Sequence, residues 1–247
     1  MAKAVIPIVI KRDKWLQYRI LRKGASLAKR LPETRLLQKK TLSKMLLHYQ
    51  GVVLKPRNGS YGKDIVFMNR NGANVYRIHH ENNAATTRGT AKLLQWLRNK
   101  NKRRGYIVQR RLQLARIGRK PFDIRIMVQR KKGASSAWKV TGSYAKVAAQ
   151  GYLVTNVTRR AIPVLEALQL ARIGDRRLLA QAERIALLAA KRLGARYPKL
   201  RQVGFDIGID RRRRIWIIEG NYHPDLRPFR RLKDRSMLRR ILWYKRH

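Results

Sequence analysis

The residues best placed to do chemistry sit near the C-terminal end: Asp206, Asp210, Glu219 and Asp225, with the amide Asn221 among them. The segment reads VGFDIGID-RRRR-IWIIEGN, two apolar, strand-like runs with a carboxylate in or at the end of each. The chain has only 13 acidic residues against 60 lysines and arginines, a formal net charge of +47. A carboxylate kept inside an apolar run of such a chain needs a reason. Asp206, Glu219 and Asn221 offer hard oxygen donors that could converge on Mg²⁺, with a phosphate as co-ligand. The plainer reading is that these acids neutralise neighbouring arginines.

A matching phosphate site lies upstream. A strand over 52–54 runs into Lys55-Pro56 and then Asn58-Gly59-Ser60-Tyr61-Gly62-Lys63 before the next strand. Glycines there would let backbone N–H groups approach phosphate oxygens, and the lysine would neutralise them. The turn is not a P-loop, because no G-x-x-x-x-G-K-[ST] is present and a strand follows it. Taken alone it is ordinary hairpin chemistry.

Composition sets the bounds. At 247 residues and 44% hydrophobic content the chain can bury a core as one domain or two small lobes. There is no cysteine, so disulfides and thiolate metal sites are out. No uncharged apolar run approaches the ~18 residues that span a bilayer. Residues 4–10 are apolar but interrupted by Pro7, and read as an opening strand rather than a signal peptide. The charge attracts polyanions of any kind and says nothing of the chemistry done there.

The elements that must position these residues follow from periodicity. Helices are expected over 13–31, 41–49, 87–101 and 175–193, the last with Asp175 as N-cap and Gly194 as stop. Strands are expected over 52–55, 65–69, 75–79, 106–108, 122–128 and 138–147, followed by the two acid-bearing runs joined by a hairpin at 211–214. The C-terminal tail reads as helical from Asp234, and the five tryptophans as core or lobe-interface residues. Consecutive His79 and His80 point to opposite faces of a strand, against a metal site with Glu81. The order is mixed α+β with no simple βαβ alternation.

Read in order, Lys55 with its glycine turn, the strand at 106–109, Asp123-x-Arg125, Asn156, then Asp206…Glu219-x-Asn221 resemble the ATP-grasp superfamily. More closely, LPETRLL (31–37), LKPRNGSYGKDI (54–65), YIVQ (106–109), PFDIRIMVQ (121–129), WKVTGSYAKVA (138–148), TN (155–156) and GFDIGID…IWIIEGN (204–221) resemble the YheC/YheD family of endospore coat-associated proteins. The likeness runs from about residue 13 to 230.

The resemblance implies an α+β ATP-grasp fold, two lobes with the nucleotide between them. The expected division is an N-terminal extension over 1–32, a smaller lobe over about 40–108, a larger lobe over about 109–230, and a basic tail over 231–247. It implies ATP and Mg²⁺ as cofactors and the following roles. Lys55 contacts the phosphates, and the loop Gly59, Ser60, Tyr61, Gly62 covers them. The segment 108–111, with Gln109, Arg110 and Arg111, lies along adenine. Asp123 accepts from a ribose hydroxyl, and Asn156 lies near the triphosphate. Arg125 and Lys146 face the phosphates or an acyl-phosphate, as the catalytic cations. Asp206, Glu219 and Asn221 hold Mg²⁺. The chemistry implied is activation of a carboxylate by ATP, then displacement of phosphate by an amine or similar nucleophile.

Three departures stand out. Gly62-Lys63-Asp64 replaces a Gly-x-Gly, Arg110 and Arg111 stand where an acidic hinge residue is common, and Val157-Thr158-Arg159-Arg160 follows Asn156 in place of Gly-Gly. The last bears on the acceptor side rather than on ATP binding. The competing expectation is a non-catalytic scaffold whose basic surface binds an anionic polymer or acidic coat proteins. Neither a specific nucleic acid nor a membrane is an expected partner. The expected location is intracellular, with deposition at the spore coat.

Overall fold

The computed structural model describes residues 13–59, 62–81, 83–100, 105–133, 136–149 and 158–247. Residues 4–10, Ser60, Tyr61 and Asn156 therefore lie outside the described residues. The chain opens with α1 (Lys14–Arg22) and α2 (Ala25–Ala28), then β1 (Thr34–Leu36), α3 (Lys39–His48) and β2 (Gly51–Pro56). It continues through β3 (Val66–Arg70), β4 (Val75–His80), β5 (Asn83–Arg88), α4 (Ala91–Lys100) and β6 (Tyr106–Arg110). The second half holds β7 (Arg116–Ile117), β8 (Lys120–Gln129), β9 (Lys139–Ala148), β10 (Thr158–Ile162), α5 (Val164–Leu170) and α6 (Arg176–Arg196). It ends with β11 (Gln202–Ile209), β12 (Ile215–Asn221), α7 (Arg227–Arg231) and α8 (Ser236–Arg246).

Two antiparallel sheets result, with strand orders β1-β6-β2-β3-β4-β5 and β10-β9-β8-β11-β12, β7 pairing on β8. In the first sheet Val52, Leu54, Val66, Met68 and Val108 pack against Leu42, Met45 and Leu46 of α3 and Leu93 and Leu97 of α4. In the second, Phe122, Ile124, Ile126, Val203, Phe205 and Ile207 pack against the alanine- and leucine-rich stripe of α6, joined by Ile20 and Leu21 of α1. Strand period 2 then sends the alternate residues of each sheet to the other face. That other face carries Lys55 and Gln109 in one sheet, and Asp123, Arg125, Lys146 and Asp206 in the second.

The expected helix over 13–31 is interrupted at Gly24, which starts α2. That over 87–101 begins only at Ala91, because residues 83–88 form the exposed strand β5. Gly194 does not stop α6, which runs to Arg196. A Cβ there would meet the buried Trp138 ring at 2.9 Å, so the glycine serves close packing. Asp175 caps α6 as expected, accepting from the backbone N–H of Arg177 and Leu178. Trp138 and Trp216 are buried, whereas Trp96 and Trp243 are exposed and depart from the expectation for all five tryptophans.

The last helices are not a loose tail. Phe229, Leu232, Leu238 and Ile241 close over Met127 and Tyr144 in a third apolar cluster. The contact needs a glycine beneath it: a Cβ on Gly142 would meet Phe229 at 2.9 Å and Met237 at 3.1 Å. Gly142→Val is expected to lower stability by ~1–3 kcal/mol through overpacking. It should also speed amide exchange across 236–246 more than across α6, measured by denaturant titration and hydrogen–deuterium exchange.

Candidate functional site

The carboxylate wall is built by alternation and one irregularity. Asp123 and Arg125 of β8, Lys146 of β9 and Asp206 of β11 share a face because Asp206 pairs with Arg125, and Asp123 with Lys146, across strands. Simple alternation along β12 would place Glu219 on the same side as Ile215 and Ile217, in the core. A register shift opposite Asp206 and Ile207 leaves Ile218 as the extra residue, and Glu219 then pairs with Asp206 on the site face. Asn221 follows opposite Gly204. A Cβ on Gly204 would crowd the Arg125 side chain at 3.1 Å, so that glycine gives the guanidinium its room.

These groups form one network. Arg125 Nε donates to Asp206 Oδ1 at 2.7 Å, and Lys146 Nζ lies 3.0 Å from both Asp206 Oδ1 and Asp123 Oδ1. Burial alone would push the Asp206 carboxyl up, but Arg125 and Lys146 outweigh it and hold it below the usual carboxylate range. Burial likewise disfavours the Arg125 charge, which Asp206 and Asp123 more than restore. The Tyr144 hydroxyl beside them is pushed up, chiefly by burial. Among the described residues, the second oxygen of Asp206 accepts a long contact of 3.4 Å from Asn221 Nδ2.

The facing wall belongs to the first sheet. Lys55 is buried, and its Nζ donates to Gln109 Oε1 at 2.8 Å, while Gln109 Nε2 donates to Thr34 Oγ1 at 2.9 Å. Burial pushes the Lys55 pKa down to about 8, offset in part by Glu219, Asp206 and Asp123. The loop beyond Lys55 keeps a glycine-like path: Gly62 has φ 71° and Asp64 has φ 60°, the left-handed region that the expected second glycine would favour.

Lys14 and Gln17 were not singled out from sequence. Lys14 Nζ donates to Gly59 O at 2.8 Å and lies 3.5 Å from Glu219 Oε1. Gln17 makes a two-way pair with the Gly220 backbone, donating to its carbonyl and accepting from its N–H, both at 2.8 Å. Asp13 caps α1 and also holds Arg57. One helix thus ties the glycine loop to the strand carrying Glu219 and Asn221. The cap Asp13 is legible in the sequence; the reach of Lys14 across to another sheet is not.

Two cavities meet at this wall. One, of about 810 Å³, is lined by Lys55, Gln109, Arg110, Arg111 and Asp123 among others. The other, of about 460 Å³, is lined by Gly59, Gly62, Lys14, Arg125, Lys146 and Asn221 among others. Asp206 and Glu219 line both. The arrangement fits an elongated anion with its apolar end in the larger cavity and its charge at the junction. Among the described residues, no three His, Cys, Asp or Glu side chains cluster to hold a metal ion. A hard cation at Asp206 and Glu219 would therefore complete its shell with the Asn221 amide oxygen and with ligand oxygens.

A family model described as YheC/D-like ATP-grasp matches residues 11–247. The endospore coat-associated protein YheD of Bacillus subtilis is 24% identical over 228 residues, 86% of this chain and 48% of that protein. The chain thus spans about half the length of that curated relative. The solved D-cycloserine synthetase DcsG superposes with a TM-score of 0.55 at 14% identity, over 95% of this chain and 70% of that one. N5-carboxyaminoimidazole synthetase from Staphylococcus aureus, complexed with ADP, does so with a TM-score of 0.55 at 13% identity, over 87% and 45%. These likenesses establish the two-lobed α+β fold, and with the match over nearly its whole length the chain belongs to the YheC/D-like ATP-grasp family.

Proposed function

We propose that the protein binds ATP with Mg²⁺ in the cleft between its sheets and uses it to join a carboxylate to an amine through an acyl-phosphate. The observation that carries this reading is the meeting of two cavities at one cluster of carboxylates and cations. Nucleotide on one side and acceptor on the other would face each other across Asp206 and Glu219. The ADP held by the Staphylococcus aureus structure supports the nucleotide. The printed name of the Bacillus subtilis relative supports association with the endospore coat. No helix among the described residues is long and apolar enough to cross a membrane.

In this reading the 108–111 segment offers backbone groups to adenine, and Asp123 accepts from the ribose. Lys55 and Lys14 neutralise phosphate oxygens. Gly59 and Gly62 offer backbone groups to the phosphates; the roles expected of Ser60, Tyr61 and Asn156 fall on residues outside those described. Asp206, Glu219 and Asn221 hold Mg²⁺, which supplies charge neutralisation at the transferring phosphoryl group. Arg125 and Lys146 stabilise charge on the acyl-phosphate side, held by Asp206 and Asp123. The carboxylate oxygen attacks the γ-phosphorus, ADP leaves, and the amine then displaces inorganic phosphate. A protein nucleophile is not required.

Calorimetric titration with MgATP, in enough salt to bring the Debye length to roughly 5–6 Å, tests the site. ATP should bind more tightly than inorganic triphosphate, and Glu219→Ala with Asn221→Ala should cost at least about tenfold in Mg²⁺-dependent affinity. Binding matched by triphosphate and indifferent to both substitutions would overturn the reading.

Lys55 supplies a pH test. Its pKa of about 8 in the folded protein lies below the 10.5 of an exposed lysine. The unfolded chain therefore binds more protons between those values, and this group adds stability as pH rises through that window. Nucleotide binding runs the other way, because the phosphates need the ammonium. ATP affinity should fall roughly tenfold between pH 7 and 9. Lys55→Arg, which stays charged, should flatten the profile even if it binds more weakly throughout.

A further inference from the structure

The larger cavity is also lined by six arginines, four exposed and two half-buried, which form its outer rim, or mouth. Arg110, Arg111 and Arg116 come from the segment that leaves the first sheet, and Arg211, Arg212 and Arg214 from the turn between β11 and β12. Backbone contacts bring the two sets together: Leu114 bridges Asp210, Arg211 N–H donates to Gln113 O, and Ala115 N–H donates to Ile209 O. The turn begins four residues beyond Asp206 along the chain. At roughly 3.3 Å per residue the mouth stands about 13 Å from the carboxylate wall.

Three of these arginines are held in place. The Arg110 guanidinium lies over both the Tyr49 ring, at 5.0 Å from its centroid, and the Trp216 ring, at 5.4 Å. Arg111 lies over Phe67 at 5.4 Å and donates to Asn69 Oδ1 at 2.7 Å. Arg214 covers Trp216 at 5.4 Å. Asp210, the carboxylate of the turn, is consumed by the turn itself. It accepts from the N–H groups of Arg212 and Arg214, from Arg214 Nε and from Trp216 Nε1, at 2.8–3.0 Å. Arg111 is disfavoured first by burial and then by the like charge of Arg116.

We infer that this mouth is a docking surface for an acidic polypeptide segment, an extended run of aspartate or glutamate laid across the entrance. Guanidinium forks match carboxylates in bidentate pairs, and forks fixed in advance by aromatic rings lose less freedom on pairing. A single-stranded nucleic acid is the poorer fit, because it would seek aromatic faces for its bases. Here Tyr49, Phe67 and Trp216 already engage guanidinium groups. The inference stands on the geometry of the mouth and does not depend on nucleotide binding.

The test is fluorescence anisotropy of a labelled, extended oligoglutamate of about ten residues, at the same screening salt. A variant with Arg116→Ala, Arg211→Ala and Arg212→Ala is compared with a charge-matched one, Arg176→Ala, Arg177→Ala and Arg184→Ala, on the exposed side of α6. The first should weaken binding roughly tenfold or more and the second less than about twofold. Arg110→Lys, which keeps the charge and loses the planar fork, should also weaken it. Equal losses in the two triple variants would mean diffuse attraction and overturn the proposal. So would an oligothymidylate that binds more tightly than the peptide with the same dependence on the mouth. Thermal melting of each variant separates lost binding from lost fold.

Discussion

The buried cluster of Asp123, Arg125, Lys146 and Asp206 is the constraint around which the second sheet is arranged. Each of the four is under a tenth exposed, and a buried charge is tolerable only with its partners in place. Two carboxylates and two cations balance locally, whatever the surplus elsewhere in the chain. Balance here requires that β8, β9 and β11 lie in one register. Slipping any of them by one residue would drive a charge into the apolar layer beneath and expose an Ile or Phe. The network that sets Arg125 and Lys146 in the cleft is thus the same one that penalises misalignment of the strands.

Around that fixed wall, the first sheet brings Lys55 and α1 brings Lys14. Neither is held by apolar packing alone. Lys55 is oriented through Gln109 and Thr34, and α1 is anchored at both ends of its contact. Asp13 holds Arg57 beside the glycine loop, and Gln17 holds the Gly220 backbone beside Glu219. A helix that grips a loop of one sheet and a strand of the other couples their positions.

What could be read from sequence was what depends on local pattern. Alternation in PFDIRIMVQ and the apolar run in GFDIGID marked the strands, Asp175 marked the start of α6, and only the pairing of β11 with β8 set Asp206 beside Arg125. What escaped was decided by distant contacts. The strand β5, NAATTR, is exposed and has too little apolar content to show its period, so a helix was expected to begin within it. Gly194 looked like a helix stop because its reason, the Trp138 ring, lies in another part of the chain. The helix from Asp234 was expected, but its packing was not, because its partners Met127 and Tyr144 lie on the same strand face as the site residues and far away in sequence. Most telling is the shift at Ile218, which no alternation announces and without which Glu219 would point into the core.

That shift also answers a difficulty set by composition. In a chain with 60 basic residues and 13 acidic ones, a surface carboxylate is readily captured by an arginine. Many here are put to structural use: Asp13 and Asp175 as caps, Asp210 in its turn, Asp225 with Arg227, Asp234 on the Ser236 backbone. Glu219 is different. It is set on an irregular strand at the junction of two cavities, with Lys14 at 3.5 Å, beyond ordinary hydrogen-bond length. Asp206 spends one oxygen on Arg125 and Lys146 and keeps the other toward the cleft. The irregularity in β12 lifts Glu219 out of the apolar core and sets it in the cleft, where it meets Lys14 and Lys55 only at long range and not in a close ion pair.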